Sequence, residues 1–298
     1  MKNVLKKLQQ SHVEYKEQEL LAKYTTFKIG GPSDLVVFPK TINEMVIITK
    51  VIIEERVPYE IIGGGSNLLV SDEGFRGLVI IPHFLSIVEN ENSICVGASV
   101  GLQQLLQFCL KHSWGGLEYL VGIPGSVGGA LAGNAGTSTL WIGSAVSSVV
   151  VINMRTAQKE IFLKEQCAYA YRSSIFKNSQ EHLIIEGNFS LTHKPVSEIQ
   201  NTMKQHVSRR GIQPVGGSSA GCIFKNPPEI PAGKLIDELG LKGKSIGKVQ
   251  ISLDHGNFML NTGRARATDV IKLISYVKQQ ARDKRGIQLQ EEIRYIGF

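Results

Sequence analysis

The sequence predicts an α+β protein, and three observations along its 298 residues lead to that fold class. The first third mixes strand-like apolar runs with an amphipathic helix. The middle third is rich in strands that can pair as hairpins. The last third contains three helices and ends in an alternating strand. Because a chain of this length is too long for one ordinary core, we expect three parts, at residues 1–82, 83–194 and 195–298.

The first part is predicted as a small α/β unit. Its longest helix begins after Thr41, because Glu44 stands at capping-box spacing from that residue and a wide apolar face follows. A glycine-rich loop then separates two apolar runs. The predicted elements are a short polar helix at 1–20, a strand at 34–40, a helix at 41–56, and strand, glycine loop, short strand, turn and strand over 59–82.

The middle part is predicted to be mostly strand, with one helix. Leu102, Leu105, Leu106 and Leu110 recur at helical spacing, and two glycines follow them as a stop signal. The predicted elements are a hairpin at 86–99, a helix at 101–116, a glycine-rich segment at 116–137, a hairpin at 147–164, and one or two strands at 182–194.

The last part begins at Pro195 and is predicted as helices followed by a strand. The final residues, IQLQEEIRYIGF, alternate between apolar and polar side chains. A strand there would place Glu292 and Arg294 together on its polar face. The predicted helices cover 196–214 with an end at Gly211, 232–240, and 268–286 with an end at Gly286.

The charge balance favours a small anionic ligand. Lysine and arginine number 33 against 26 acidic residues, which gives a net charge of +7, and no basic tail or long basic run is present. The four cysteines have no metal-binding spacing, the start has no signal-peptide pattern, and no apolar run has the length of a membrane span. We therefore expect a cytoplasmic monomer without metal, nucleic-acid or membrane partners.

Two glycine-rich segments need an explanation: GGGSN at 63–67 and GIPGSVGGALAGNAG at 122–136. The first matches neither the dinucleotide fingerprint nor the nucleophile-elbow pattern, because Leu68 stands where both require glycine. Both segments could be mobile loops, but apolar residues run through them, which is not typical of linkers. Since glycine lets backbone N–H groups approach a phosphate closely, the two segments could hold a pyrophosphate and a sugar. The side chains that could add donors are those of Ser66, Asn67, Ser126 and Asn134.

A lone cysteine, Cys222, lies in the stretch SAGCIFKNP. A cysteine without partners is often a buried apolar residue, and that reading would be preferred for Cys222 in isolation. Its neighbours include serines, glycine, Lys225 and Asn226, which do not resemble a core. The polar surroundings therefore leave both readings of Cys222 open, a buried apolar residue and a thiol that takes part in chemistry.

Eight segments form an ordered set of motifs along nearly the whole chain: YTTFKIGG (24–31), IIGGGSNLLVSDEGFRGLVI (61–80), GLEYLVGIPGSVGGALAGNAG (116–136), YAYRSSIF (169–176), AGCIFKNP (220–227), AGKLIDELGLKGKSIGKVQIS (232–252), HGNFMLN (255–261) and LQEEIRYIG (289–297). Together and in this order they resemble the UDP-N-acetylenolpyruvoylglucosamine reductase family of peptidoglycan synthesis. The short interval between Arg172 and Arg210 resembles the shorter form of that family.

The resemblance implies an FAD-binding fold of the para-cresol-methylhydroxylase type, made by the first two parts, and a C-terminal α+β substrate-binding domain. It also implies that NADPH reduces FAD and that the flavin passes hydride to the substrate, UDP-N-acetylglucosamine-enolpyruvate, to give UDP-N-acetylmuramate. The residues expected to bind FAD are Gly63, Gly64, Gly65, Ser66, Asn67, Gly122, Ile123, Pro124, Gly125, Ser126, Gly128 and Gly129.

The same resemblance assigns catalytic roles to Arg172, Cys222 and Glu292. Cys222 occupies the place where the family commonly has a serine that donates a proton. A thiol has a reference pKa of about 8.5, far below that of a hydroxyl, so it is an easier donor to a carbanion. The residues expected to contact substrate are Tyr171, Arg210, Lys225, Asn226 and Arg294.

Two other functions stay open from the sequence. The fold could serve a different flavoenzyme, such as an oxidase of alcohols or lactones, because a fold alone does not fix an activity. The chain could also be a nucleotide-binding protein without catalysis. The presence of Cys222 and Glu292 favours the reductase over the first, and the presence of Arg172 and Glu292 favours it over the second.

Overall fold

The computed structural model of the chain describes residues 1–137, 139–177, 179–209, 214 and 217–298. It divides into two compact units. The first unit comprises Met1–Lys16, Leu35–Gly64 and Gly77–Gly211, and the second comprises Glu17–Asp34, Gly65–Arg76 and Ile212–Phe298. Within the described residues, no helix is long and apolar enough to cross a membrane. The division into three parts stays a prediction.

Seven helices and sixteen strands lie in the described part of the chain. The helices are α1 (Lys2–Gln10), α2 (Ile42–Glu55), α3 (Leu102–Lys111), α4 (Val127–Gly133), α5 (Val196–Arg209), α6 (Ala232–Glu238) and α7 (Ala267–Arg285). The strands are β1 (Tyr15–Leu20), β2 (Pro32–Val37), β3 (Tyr59–Ile61), β4 (Leu68–Val70), β5 (Phe75–Ile80), β6 (Ile87–Asn90), β7 (Ser93–Gly97), β8 (Trp114–Gly115), β9 (Val146–Asn153), β10 (Lys159–Leu163), β11 (His182–Ser190), β12 (Thr192–His193), β13 (Ser245–Ile246), β14 (Val249–Ile251), β15 (Met259–Asn261) and β16 (Arg294–Ile296).

The first unit is built on an antiparallel five-stranded sheet of order β10-β9-β11-β7-β6. The predicted hairpins at 86–99 and 147–164 form two pairs of its strands. Buried residues of α3, α4 and the central strands share one apolar core. A second core contains the buried faces of α1 and α2 together with residues of β5, and β5 runs parallel to β3. β3 and β5 belong to a four-stranded sheet of order β1-β2-β5-β3.

Helix α2 shows how local sequence sets an element. The hydroxyl of Thr41 accepts a hydrogen bond from the backbone N–H of Glu44 at 3.1 Å, as the capping spacing predicts. The carboxylate of Glu44 accepts a hydrogen bond from the N–H of Lys40, the residue before the cap, at 2.8 Å, so Thr41 and Glu44 each bind a backbone amide at this end of the helix. The helix ends where Arg56 takes a left-handed conformation.

The second unit packs α6 and α7 with a three-stranded antiparallel sheet of order β13-β14-β15. A separate parallel pair joins β16 to β4. At the start of helix α7, the carboxylate of Asp72 accepts hydrogen bonds from the N–H groups of Ala267 at 2.8 Å and Thr268 at 3.1 Å. A carboxylate at this place satisfies first-turn amides and complements the positive end of the helix.

The structure differs from the predicted elements at several places. Residues 15–20, predicted as helix, form β1, because pairing with β2 decides the conformation of this mostly polar segment. A regular strand near the C-terminus covers only Arg294–Ile296. The predicted alternation holds in part: Leu289 and Ile293 are buried, and Glu291 pairs with Lys278 at 2.9 Å. The predicted helix end at Gly211 lies outside the described residues.

Candidate active site

The first unit brings the two glycine-rich segments together around Ser126. The Ser126 Oγ accepts hydrogen bonds from the backbone N–H of Gly64 at 3.2 Å and of Gly129 at 3.4 Å. A Cβ on Gly64 would stand 2.7 Å from Gly125 Cα and from Ser126 N, so this approach requires glycine. The same serine caps the start of α4, which explains how a helix begins within so glycine-rich a segment.

The surface formed by this packing suits a flat anionic cofactor. Gly63, Gly64 and Gly129 are exposed, and a Cβ on Gly63 would lie only 3.7 Å from the nitrogen of Gly129. A strip without side chains lets a dinucleotide approach the main chain, where backbone N–H groups can face its phosphates. The N–H groups of Val127 and Gly128 donate to carbonyls of the protein, so the loops rather than the first amides of α4 would face the phosphates. These residues fit the FAD that the resemblance implies.

The other predicted FAD residues divide between the two units. In the first, Gly122 and Pro124 are exposed, while Ile123 donates its N–H to the carbonyl of Leu120 at 3.0 Å. The carbonyl of Gly125 accepts a hydrogen bond from the N–H of Leu102, the first residue of α3. These bonds fix the turn that precedes Ser126. The second unit contains the remaining three, Gly65, Ser66 and Asn67.

Tyr171 and Arg172 form the tip of a tight turn in the first unit. Ala170 and Ser173 exchange backbone hydrogen bonds of 3.0 and 3.1 Å across this turn. Arg172 has a φ of 52°, a left-handed conformation that is uncommon for a residue with a long side chain. Its Nη1 donates to the carbonyl of Gly136 at 3.2 Å, and its Cζ lies 5.8 Å from the centre of the Tyr171 ring. The guanidinium is therefore held at the end of the second glycine-rich segment.

Asn134 supports this turn in a way that the sequence did not reveal. The residue is 2% exposed. Its Nδ2 donates to the carbonyl of Ala170 at 2.8 Å, and its Oδ1 accepts the N–H of Gly143 at 3.1 Å. The sequence suggested Asn134 only as a donor to a phosphate or sugar. The structure instead commits its amide to the main chain beside Arg172.

In the second unit, Cys222 lies in a short extended segment that its neighbours anchor. Ile223 and Phe224 are buried in the core of this unit. Gly221, just before the thiol, has a φ of 74°, a conformation that glycine adopts at no steric cost. The turn and the two anchors leave Cys222 and Lys225 partly exposed. A partly exposed thiol can exchange its proton with water between turnovers.

Glu292 is attached to this same segment through its backbone. Its N–H donates to the carbonyl of Ile223 at 2.8 Å. Asn67 contacts both sides of Glu292: its Nδ2 donates to the carbonyl of Glu292 at 3.1 Å, and its own carbonyl accepts the N–H of Arg294 at 3.0 Å. Within the second unit, the structure therefore brings the Cys222 segment, Asn67, Glu292 and Arg294 together.

Two residues that were predicted to bind a ligand form side-chain hydrogen bonds to the main chain of the protein. The amide of Asn67 is bonded to Glu292, as described above. The Oδ1 of Asn226 accepts the N–H of Ala232 at 3.0 Å and so caps the first turn of α6. Arg210, predicted to contact substrate, lies outside the described residues.

Thr26 and Asn257 also belong to the second-unit site, although neither was predicted from the sequence to be a site residue. The Oγ1 of Thr26 donates to the carbonyl of Ser219 at 2.6 Å, and its N–H donates to the carbonyl of Gly65 at 3.0 Å. Asn257 binds the main chain of Phe224 through both ends of its amide. The available signal was that both residues lie in motifs of the family resemblance, YTTFKIGG and HGNFMLN.

Burial shifts the pKa of two groups in the second unit. Burial, and to a lesser extent the charge of Lys242, lowers the pKa of His255. The Nδ1 of His255 accepts the N–H of Asn257 at 3.2 Å, which requires an unprotonated nitrogen. Burial also raises the pKa of Tyr295 to about 12, with a smaller contribution from Glu291, so its phenol stays neutral.

Comparison with known proteins finds a family match for residues of each unit. Residues 33–162 match the FAD binding domain, and residues 213–296 match the C-terminal domain of UDP-N-acetylenolpyruvoylglucosamine reductase. The α+β fold, predicted as an FAD-binding fold followed by a C-terminal substrate domain, is confirmed at this level.

Several relatives that match nearly the whole chain are UDP-N-acetylenolpyruvoylglucosamine reductases. The UDP-N-acetylenolpyruvoylglucosamine reductase of Syntrophobacter fumaroxidans is 39% identical, with 99% of this chain and 86% of the relative covered. That of Carboxydothermus hydrogenoformans is 39% identical over 94% and 93%. The crystal structure of the Thermus caldophilus enzyme superposes with a TM-score of 0.81 at 35% identity, over 95% of this chain and 98% of that one. This chain is thus an FAD-dependent oxidoreductase that belongs to the UDP-N-acetylenolpyruvoylglucosamine reductase family.

Proposed function

We propose that this chain reduces the enolpyruvyl ether of UDP-N-acetylglucosamine-enolpyruvate to the lactyl ether of UDP-N-acetylmuramate, a step of peptidoglycan precursor synthesis, with NADPH as the reductant. The names of its relatives support the substrate. One observation carries the assignment of residues: the Glu292 N–H donates to the carbonyl of Ile223, the residue after Cys222, at 2.8 Å. An acid and a thiol that the reaction needs are thereby held on adjoining segments.

The chemistry sets two demands on the protein. The alkene of the substrate is conjugated to a carboxylate, and bound FAD supplies the hydride for its terminal carbon. Negative charge then develops on the neighbouring carbon and on the carboxylate. The protein must stabilise this charge and must deliver a proton to that carbon.

Arg172 is proposed to bind the substrate carboxylate. Its planar guanidinium can donate two parallel hydrogen bonds to such a group. The bond to Gly136 and the tight turn support this role, because an arginine held in one orientation loses less conformational entropy on binding. Tyr171, which is exposed beside it, is proposed to contact the sugar or the enolpyruvyl group.

Cys222 is proposed to donate the proton. The thiol is partly exposed, so water can restore its proton after each turnover. Glu292 is proposed to donate or accept a hydrogen bond at the enolpyruvyl group as negative charge grows on the carboxylate of the substrate. Lys225, Asn226, Arg210 and Arg294 are proposed to contact the anionic substrate. The three-part division at residues 82 and 194 is proposed to separate the two FAD-binding parts from the substrate-binding part.

The test is the dependence of NADPH oxidation on the enolpyruvyl nucleotide sugar. The purified protein is expected to be yellow from bound FAD and to oxidise NADPH only when that substrate is added. Oxidation by oxygen at the full rate without substrate would instead favour an oxidase. A well-folded protein that retains no FAD would contradict the proposal.

A further inference from the structure

The motif HGNFMLN at 255–261 contains a buried asparagine, Asn257, whose amide is engaged entirely with the main chain of the Cys222 segment. Asn257 is 3% exposed. Its Oδ1 accepts the N–H of Phe224 at 2.9 Å, and its Nδ2 donates to the carbonyl of Phe224 at 2.8 Å. Its own carbonyl accepts the N–H of Ile223 at 2.9 Å. Three hydrogen bonds from one residue therefore hold two consecutive residues of the segment.

The opposite edge of the segment is bonded to the residues around Glu292. The carbonyl of Ile223 accepts the N–H of Glu292 at 2.8 Å, and the N–H of Lys225 donates to the carbonyl of Gln290 at 2.9 Å. The segment lies between Asn257 on one edge and the Glu292 segment on the other. A slip of one residue along either edge would move Cys222 by about 3.3 Å and turn its side chain to the opposite face.

Asparagine suits this position for a specific reason. A short amide offers one acceptor and one donor group at a fixed spacing, which matches the N–H and C=O of one extended residue. An apolar residue would leave both groups of Phe224 without these partners in the core, at the cost of two buried hydrogen bonds. An ionised carboxylate could accept but could not donate.

We propose that Asn257 is a positioning residue for the reaction: it fixes the register of the Cys222–Lys225 segment against Glu292, so that thiol, ammonium and carboxylate keep constant separations. It contacts the main chain beside these groups and acts through them. The inference rests on the proposed function, which gives Cys222 and Glu292 their roles. A misplacement of about 1 Å at such groups is enough to slow a reaction about a hundredfold.

The experiment compares three variants of the FAD-loaded protein. Asn257→Ala removes both side-chain bonds. Asn257→Asp keeps the size and the acceptor for the Phe224 N–H and loses the donor, so it keeps the test open if the alanine variant does not fold. Asn261→Ala is the matched control, because Asn261 lies in the same motif and its side chain bonds to the carbonyl of Phe27 and to Gly263, away from the Cys222 segment.

The first measurement is the rate at which iodoacetamide alkylates Cys222, followed by peptide mass mapping with Cys95 of the same molecules as the internal reference. Loss of the amide bonds increases the open population of the segment, so alkylation should be about tenfold faster in the Asn257 variants. The control should stay within about twofold of the parent protein. An unchanged Cys222 rate in the folded Asn257 variants would overturn the proposal.

The second measurement separates positioning from general destabilisation. In the Asn257 variants, turnover of the enolpyruvyl substrate should fall about a hundredfold, while the rate of FAD reduction by NADPH stays near that of the parent. An equal loss in both rates overturns the positioning role. If Cys222→Ala proves fully active, the proton-donor assignment fails, and the alkylation result still decides whether Asn257 sets the register.

Discussion

At the scale of single residues, Cys222 is the departure from the family pattern that most affects the proposed chemistry. A thiol stands where the family resemblance implies a serine, and its neighbours Ile223 and Phe224 are buried while Cys222 itself is partly exposed. The lower reference pKa of a thiol makes proton donation to a carbanion easier. In the proposed reaction, a different donor therefore serves at this position.

The first prediction concerns this thiol. Cys222→Ser should retain activity, because a hydroxyl can still donate a proton, whereas Cys222→Ala should lose about 10²- to 10⁴-fold in turnover. Cys95→Ala serves as the control for loss of a partly buried thiol elsewhere. Rapid-quench measurement of product formation by the three variants checks this, and an alanine variant as fast as the parent would identify water or another residue as the donor.

The second prediction concerns the carboxyl of Glu292. Glu292→Gln should keep FAD bound and should be reduced by NADPH as before, while turnover of the enolpyruvyl substrate falls about 10²- to 10⁴-fold. Glu291→Gln is the matched control, because the neighbouring carboxylate instead pairs with Lys278. Stopped-flow absorbance of the flavin separates the two half-reactions. Loss of FAD affinity without a change in turnover would remove Glu292 from the catalytic group.

The third prediction follows from the lowered pKa of His255. Its ordinary value is 6.5. Because the folded state binds a proton here less readily than the unfolded state, the stability from neutral His255 is complete above pH 6.5 and is lost as the pH falls towards the lowered folded value. Protonation would also break the bond from the Asn257 N–H to Nδ1.

Urea unfolding of the parent between pH 5 and 8 measures this effect against two variants. His255→Asn should flatten the fall in the free energy of unfolding below pH 6.5. His12→Asn, which changes an exposed histidine in the first unit, should leave that fall in place. Identical pH profiles for all three proteins would show that His255 is not the responsible group.

At the scale of elements, the close approach of the two glycine-rich segments is the feature on which the expected FAD binding depends. The fourth prediction is that Gly64→Ala lowers FAD affinity, because the added Cβ would lie 2.7 Å from Gly125 Cα and Ser126 N. A forced backbone shift of this kind costs about 1–3 kcal/mol in the free energy of unfolding.

The matched control for that change is Gly133→Ala at the end of α4. A Cβ there meets no heavy atom within 4 Å, and alanine favours a helix. Flavin fluorescence on titration with FAD should therefore show weaker binding for Gly64→Ala and unchanged binding for Gly133→Ala. Equal affinities in the two variants would mean that the exposed glycine strip does not hold the cofactor.

Local signals account for the elements that the sequence predicted well. Thr41 and Glu44 predicted the start of α2, and the leucines before Gly115 predicted α3. Each helix has a capping residue, an apolar face or a glycine stop signal in its own sequence. Strand β1 was missed, since a mostly polar segment becomes a strand only by pairing with β2. Helix α4 was missed because its seven residues include three glycines, and its cap at Ser126 was hidden among them.

Site residues could be predicted from the sequence where their side chains have a recognisable chemical role. They could not be predicted where their side chains bind the main chain of a distant segment. Arg172, Cys222 and Glu292 stand out by residue type and by the resemblance. Asn134 and Asn257 do not, because their amides bind backbone groups 36 and 33 residues distant, at Ala170 and Phe224. Such contacts depend on the tertiary fold and leave no spacing pattern in the sequence.

At the scale of the whole molecule, two regions of the chain match two different domain families. Residues 33–162 match an FAD binding domain, and residues 213–296 match the C-terminal domain of the reductase family. The net charge of +7 suits both the proposed nucleotide-sugar substrate and the dinucleotide cofactors, all of which are anionic.

The most direct test of the proposed reaction is made without oxygen. FAD-loaded protein is first reduced with one equivalent of NADPH, and the enolpyruvyl nucleotide sugar is then mixed in while flavin absorbance is followed. The proposal predicts that the substrate reoxidises the flavin and that UDP-N-acetylmuramate is formed in equal amount. Flavin that stays reduced with this substrate and is reoxidised only when oxygen is admitted would contradict it.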